Sequence, residues 1–143
     1  MSRKPENKFM DAVHKQLDDS VIYKMKITPA FSSGEFDVFY EGHARDLFVE
    51  YKFVELPKRG STMIHIERLL SERQLRWGDR RVERTASSDR IPPYLAIGCR
   101  EDDRYYGVLL QYMKDMMPIN TETFKANLSP AKDIANRILS LVS

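Results

Sequence analysis

The sequence predicts a mixed α/β domain, and three observations carry that reading. Helical spacing of apolar residues marks the start and the end of the chain, and a capping sequence at Ser71 marks a helix between them. Between these stretches lie short apolar runs of strand character, two of them spaced as a hairpin. Their order is helix, three strands, helix, two strands, helix, which calls for a mixed central sheet flanked by helices. The 143 residues show no repeat and no linker, so 1–143 reads as a single domain, long enough for a real core.

Taken in order, residues from Glu6 to about Asp18 have Phe9, Val13 and Leu17 on one helical face, with Pro5 suited to a first turn. "SVIYKMKIT" follows as a strand with loose alternation, and "PAFSSG" as a loop. "EFDVFY" and "LFVEYKFV" form two strands of a hairpin around the turn "EGHARD". "MIHIERL" reads equally as a short strand or a helical turn. A helix starts at Ser71, because "SERQ" places a glutamine three residues after a serine cap, and it runs to about Thr85 despite Gly78. Leu70 and Leu75 have the spacing of a hydrophobic staple. "ASSDRIPP" breaks the helix. "YLAIGC" and "YYGVLLQYM" are strands around the polar turn "REDDR". A last helix is capped by Ser129, with Pro130 in its first turn and Ile134, Ile138 and Leu141 on one face.

Composition excludes several classes. Lys and Arg number 23 against 21 Asp and Glu, a net charge of +2 that makes no case for nucleic acid by itself. No apolar run approaches the roughly 20 residues that span a bilayer, so no membrane partner is expected. The start, "MSRKPENKF", lacks an apolar stretch behind its charges, so no signal peptide is expected. A single cysteine, Cys99, precludes an internal disulfide and fits a reducing cytoplasm. The three histidines are scattered, without zinc spacing.

The informative feature is charge inside the run "LFVEYKFV". Alternation puts Phe48, Glu50, Lys52 and Val54 on one side and Leu47, Val49, Tyr51 and Phe53 on the other. Both sides are largely apolar, so the strand should be covered on two faces, with Glu50 and Lys52 partly out of water. Buried charges are costly unless paired or bound to metal. One answer is that the two neutralise each other, or that Lys52 reaches solvent along its own stem. The other is a metal site, since the hairpin brings Asp37 near them. Two carboxylates suit Mg²⁺, a hard ion that prefers oxygen. A lysine beside them can position a water and offset phosphate charge.

Gly34-Glu35-Phe36-Asp37 followed by Glu50-Tyr51-Lys52 resembles the motif of the PD-(D/E)XK nucleases, with Phe36 where proline is usual. "LSERQLRW" is similar to a helix start of the VRR-NUC branch, and "LPKRGST" resembles phage-type members of that branch. The likeness runs over about residues 6 to 110. It implies a restriction-endonuclease-like core and Mg²⁺-dependent DNA cleavage, with Mn²⁺ able to substitute. Small stand-alone members are similar to Holliday-junction resolvases, which implies branched DNA as partner, a homodimer, and the host cytoplasm if the chain is phage-encoded. It also implies the roles. Asp37 and Glu50 would bind metal with the Tyr51 carbonyl, and Lys52 would orient or activate the attacking water. Glu6 is a further metal candidate, although an acid in a first turn is favoured by the helix dipole in any case. Gln74 has a site role by resemblance and a capping role by local physics.

Arg73, Arg76, Arg80 and Arg84 fall on one helical face, and Lys58 and Arg59 lie in the loop after the lysine-bearing strand. Arginine can grip phosphates with two hydrogen bonds, which suggests a DNA-backbone surface. The interleaved Glu72, Asp79 and Glu83 also permit an ordinary solvated face. Ser33, like Ser32, could donate to a phosphate, though a serine-rich turn needs no such explanation. Trp77 reads as core. A non-catalytic DNA-binding or assembly protein on the same fold is the rival to the nuclease. A protein-interaction module, such as an inhibitor of a host enzyme, is a third reading that no residue favours.

Overall fold

A computed structural model describes residues 4–17, 23–27 and 34–143. Helix α1 (Pro5–His14) is followed by strands β1 (Tyr23–Lys26), β2 (Val38–Glu41) and β3 (Asp46–Phe53), then by a two-residue strand β4 (Met63–Ile64) and a 3₁₀ turn (Ile66–Leu69). Helix α2 (Glu72–Thr85) leads to β5 (Tyr94–Glu101) and β6 (Arg104–Gln111). Short elements β7 (Ile119–Asn120), α3 (Thr121–Ala126) and β8 (Ser129–Pro130) precede α4 (Ala131–Val142).

The expected mixed sheet flanked by helices is present. Six strands lie in the order β1-β2-β3-β5-β6-β8, and β4 pairs with β7 apart from them. β2 and β3 form the expected antiparallel hairpin, with Val38 opposite Val49 and Phe39 opposite Phe48. β3 and β5 are parallel, with α2 in the crossover between them. A parallel strand in mid-sheet must be covered on both faces, and β3 is. Val49 and Tyr51 pack with Phe9, Val13, Ile134 and Ile138 on the side of α1 and α4. Phe48 and Val54 pack on the side of α2 with Phe36, Leu95, Ile97 and Tyr112.

Several elements depart from the sequence reading. α1 ends at His14 rather than near Asp18, which lies outside the described residues. The burial pattern nevertheless continues to Leu17, because Gln16 and Leu17 donate to the carbonyls three residues back and tighten the last turn. β2 starts at Val38 rather than Glu35. Phe36 is turned into the core beneath α2 while Val38 faces α1, so the regular alternation fails between them. "MIHIERL" is both of its alternatives in turn, a strand and then a 3₁₀ turn. α3 has no counterpart in the sequence reading, although Asn120 caps it by accepting from the Thr123 N–H at 2.8 Å. Pro130, not Ser129, occupies the N-cap of α4. Ser129 and Pro130 are drawn into pairing with Gly107 and Tyr106 of β6, which removes Ser129 from the cap.

Two glycines position α1. Gly98 and Gly107 are cross-strand partners, and a Cβ on either would stand 2.5 Å from the Phe9 ring. Their bare backbones form the slot that Phe9 fills, fully buried. Gly78 works similarly within α2, where the Tyr112 ring lies 2.6 Å from the place of a Cβ and its hydroxyl hydrogen-bonds at the Leu75 carbonyl (2.9 Å) and the Asp79 carboxylate (2.8 Å). Among the described residues no helix is long and apolar enough to cross a membrane.

Filling the slot should therefore destabilise the fold. Gly98→Ala is expected to cost about 1–3 kcal/mol through overpacking. Phe9→Leu in the same chain should recover part of that loss. Urea unfolding of the two single variants and the double variant measures the coupling, and additive costs would show that ring and glycine do not meet.

Candidate active site

The backbone ladder between β2 and β3 ends at Val38 and Val49. One step further, side chains take over from backbone. The Asp37 N–H donates to Glu50 Oε1 at 3.0 Å, and the Tyr51 N–H donates to Asp37 Oδ2 at 3.2 Å. Each carboxylate thus closes an orphan donor at the strand end and is fixed by it. Meanwhile the Asp37 carbonyl accepts from the Ile27 N–H at 2.7 Å, tying the segment to the end of β1. Lys52 follows on β3, its Nζ 3.4 Å from Glu50 Oε2. The ion pair foreseen as the plain explanation is therefore present, and Asp37 stands against it.

Glu50 is 2% exposed, while the Lys52 side chain retains 21% of its exposure. Burial, and next the charge of Asp37, push the Glu50 carboxyl up to about 8, against the pull of Lys52. Burial also raises Asp37, opposed by the Tyr51 N–H, Glu50 and Lys52. The two carboxyls interact directly and bind a proton more readily than two separate acids would. With both ionised, one lysine is insufficient counter-charge for the buried Glu50 and the half-buried Asp37. A divalent cation would relieve this, and an all-oxygen donor set suits a hard ion such as Mg²⁺. Among the described residues no three His, Cys, Asp or Glu side chains form a metal-binding group. Asp37, Glu50 and the Tyr51 carbonyl would therefore have to share the ion with water or substrate. Glu6, half-buried in the first turn of α1, is near enough for its charge to raise Asp37.

Gln74 takes the capping role that local physics predicts. Its Oε1 accepts from the Ser71 N–H at 3.0 Å, and the Ser71 Oγ accepts from the Gln74 N–H at 3.1 Å, a complete capping box. The cap uses the oxygen and leaves the side-chain amide nitrogen for another contact. Gly34 brings this helix start to the site. It has φ of 100°, and a Cβ there would lie 2.4 Å from the Arg73 carbonyl oxygen. Phe36, in the place of the motif's proline, is fully buried against Trp77 and Tyr112, with ring centroids 4.9 and 5.7 Å away.

Arg73, Arg76, Arg80 and Arg84 are exposed and, with Trp77 and Glu35, line one cavity of about 500 Å³ along α2. Lys58 is not part of that row. It borders a separate groove of about 550 Å³ past the end of β3, with Lys8, Arg100 and Lys125. Arg59 is exposed in the same loop, and Ser33 lies outside the described residues. Sequence reasoning missed a hydrogen-bonded chain behind the carboxylates. His14 Nε2 is 2.6 Å from the Tyr40 hydroxyl, which is 2.5 Å from that of Tyr51. Desolvation raises both tyrosines well above their usual range. The alternation that puts Tyr40 and Tyr51 on the α1 side was visible; their contact with His14, a helix residue, was not.

No family model matches the chain, and no curated protein does. Among solved structures it is similar to Hjc, a Holliday junction resolvase from the archaeal hyperthermophile Archaeoglobus fulgidus. Identity is 11%, the alignment covers 92% of this chain and 96% of that one, and the TM-score is 0.49. A score below 0.5 carries no weight for function, so the reading of the site stands on its own geometry.

Because Glu50 binds its proton more tightly when folded, its contribution to stability is full below about pH 4.5 and is lost as the pH rises towards 8. The metal-free protein should accordingly lose stability across that window, and Glu50→Gln should flatten the slope. Urea unfolding in EDTA at a series of pH values checks this. Equal slopes in both proteins would contradict the assigned burial.

Proposed function

We propose that the chain is a metal-dependent DNA endonuclease of the PD-(D/E)XK type with a restriction-endonuclease-like core. The observation that supports it best is the reciprocal lock of Asp37 and Glu50 at the end of a ladder, with Lys52 beside them and still in reach of water. Asp37, Glu50 and the Tyr51 carbonyl would hold Mg²⁺ or Mn²⁺, with Glu6 nearby. The ion would supply charge stabilisation at the phosphate. Lys52 is the group to hydrogen-bond the attacking water and to oppose charge on the phosphoryl oxygens. Water adds to phosphorus, an ester P–O bond breaks, and the leaving oxygen takes up a proton. The Gln74 amide nitrogen, which the cap does not use, would contact that water or a phosphate oxygen, a role that rests on the motif resemblance. Arg73, Arg76 and Arg80 offer a track for the DNA backbone, with Lys58 and Arg59 as outlying contacts and Ser33 as a further candidate from the sequence.

The finer assignment rests on the motif resemblance. It comprises the VRR-NUC-like branch, a phage-type origin, a structure-selective action on branched or four-way-junction DNA, and a homodimer in the host cytoplasm. Two symmetric cuts need two sites, which a two-fold dimer supplies. The rival, a non-catalytic DNA-binding protein, draws on the Glu50–Lys52 pair at 3.4 Å and on an arginine row that needs no metal.

Labelled junction and linear duplex, incubated with Mg²⁺, Mn²⁺ or EDTA, separate the two. The proposal expects metal-dependent cutting that falls at least about 100-fold in Lys52→Ala and Glu50→Ala. Binding without cutting under every metal would move the assignment to the rival. In a second measurement, Arg73, Arg76 and Arg80 are changed together to Ala. The slope of log affinity against log salt should then become shallower by about 2–3, since each lost phosphate contact removes about 0.9. An unchanged slope would take those arginines off the backbone.

A further inference from the structure

Next to the carboxylates lies a recess that neither the site nor the arginine row uses. It encloses about 850 Å³ between the β2–β3 turn, the floor of the hairpin and the far end of α2. Its floor is Phe39 and Phe48, directly opposed across the two strands, with ring centroids 5.1 Å apart. Phe48 is two residues before Glu50 on the same side of β3, so the floor begins about 7 Å along the strand from the carboxylate. Both rings are only half-buried.

Arg81 closes one wall. Its guanidinium lies over the Phe48 ring, 5.0 Å from the centroid. Its Nε is buried and has no hydrogen-bond partner among the described residues. No carboxylate of the described residues is within ion-pair distance of it; burial and the charges of Arg90 and Arg84 act against its own charge, and the more distant Asp46 favours it. The terminal nitrogens of Arg81 make no hydrogen bond or ion pair among the described residues, so they are open to an acceptor that a ligand brings. The rim is mixed in charge. Arg45 and Arg90 face Glu41, Asp46 and Asp89, all exposed. Such a balance is poor for a bare phosphate. It suits a flat, neutral ring with donors and acceptors along its edge, which an aromatic floor and a guanidinium can stack upon.

We propose that this recess takes one unpaired nucleobase of the strand being cut, stacked against the Phe39 ring and hydrogen-bonded through the terminal nitrogens of Arg81. The identity of that strand rests on the nuclease reading; the binding itself needs no metal. A base pair within a duplex hides both its faces in the stack, so only an unpaired or extruded base can enter. Substrates with single-stranded character beside the scissile phosphate are thereby selected over continuous duplex.

The test uses the full chain in EDTA. A duplex with a single-stranded tail carries 2-aminopurine at successive tail positions, and a blunt duplex of equal length serves as reference. Fluorescence should change at one position near the junction, and the tailed DNA should bind about tenfold tighter than the blunt. In Arg81→Ala, Phe39→Ala and the exposed-site variant Arg90→Ala, each checked by thermal melting, the ratio should fall towards one and the fluorescence change should shrink. A wild-type ratio near one, or a ratio and a fluorescence change that persist in all the folded variants, overturns the proposal. Cutting assays run alongside keep the two readings apart. Metal-dependent cutting with no tail preference refutes the base pocket alone, and tail preference without cutting under any metal refutes the nuclease alone.

Discussion

Two like-charged carboxyls held together out of water are the constraint on which the rest of this structure depends. Asp37 and Glu50 sit where the β2–β3 ladder stops, and each accepts from a backbone N–H of the facing segment. The arrangement meets the hydrogen-bonding needs of the strand ends, but with both carboxyls ionised it carries more negative charge than Lys52 offsets, so without a cation the pair holds a proton. Structural ion pairs tend towards neutrality; this one reaches it only with that proton bound. An imbalance of that kind, beside a lysine that keeps part of its exposure, is a mark of a site completed by a cation or a substrate.

The surrounding fold maintains the constraint from three directions. Gly34 admits the Arg73 backbone at a distance no side chain permits, so the start of α2 is pressed against the chain entering Asp37. The capping box from Ser71 to Gln74 fixes that start and uses only the oxygen of Gln74. On the other face, Phe9 in the Gly98–Gly107 slot seats α1, and with it Glu6. Phe36 fills the position where the motif carries proline. It gives up proline's fixed φ and gains an aromatic contact with Trp77, which ties the entry to β2 directly to α2.

Local signals were the legible ones. The β2–β3 hairpin, the Ser71 cap and the burial of β3 on both faces follow from alternation and capping chemistry, and they suffice to bring Asp37, Glu50 and Lys52 together. Signals that depend on tertiary context were not legible. Pro130 is an N-cap because β6 captures the preceding residues, and β2 begins late because Phe36 is drawn to α2. The short α3 escaped because six residues give too little periodicity, although its Asn120 cap is written in the sequence. Nothing in the sequence singles out Arg81; only the fold shows it lying over Phe48, with its Nε unpartnered among the described residues. Lys58 and the arginines of α2 looked like one surface and belong to separate grooves.

The central claim is that the Asp37–Glu50 pair is built for a divalent cation. Titration calorimetry with Mn²⁺ on the metal-free protein tests it without any assumption about substrate. The account predicts saturable binding that is lost in Asp37→Asn and in Glu50→Gln, with both variants folded. No binding by the wild-type protein, or equal binding by the variants, would contradict it and leave Glu50 and Lys52 as a buried structural pair.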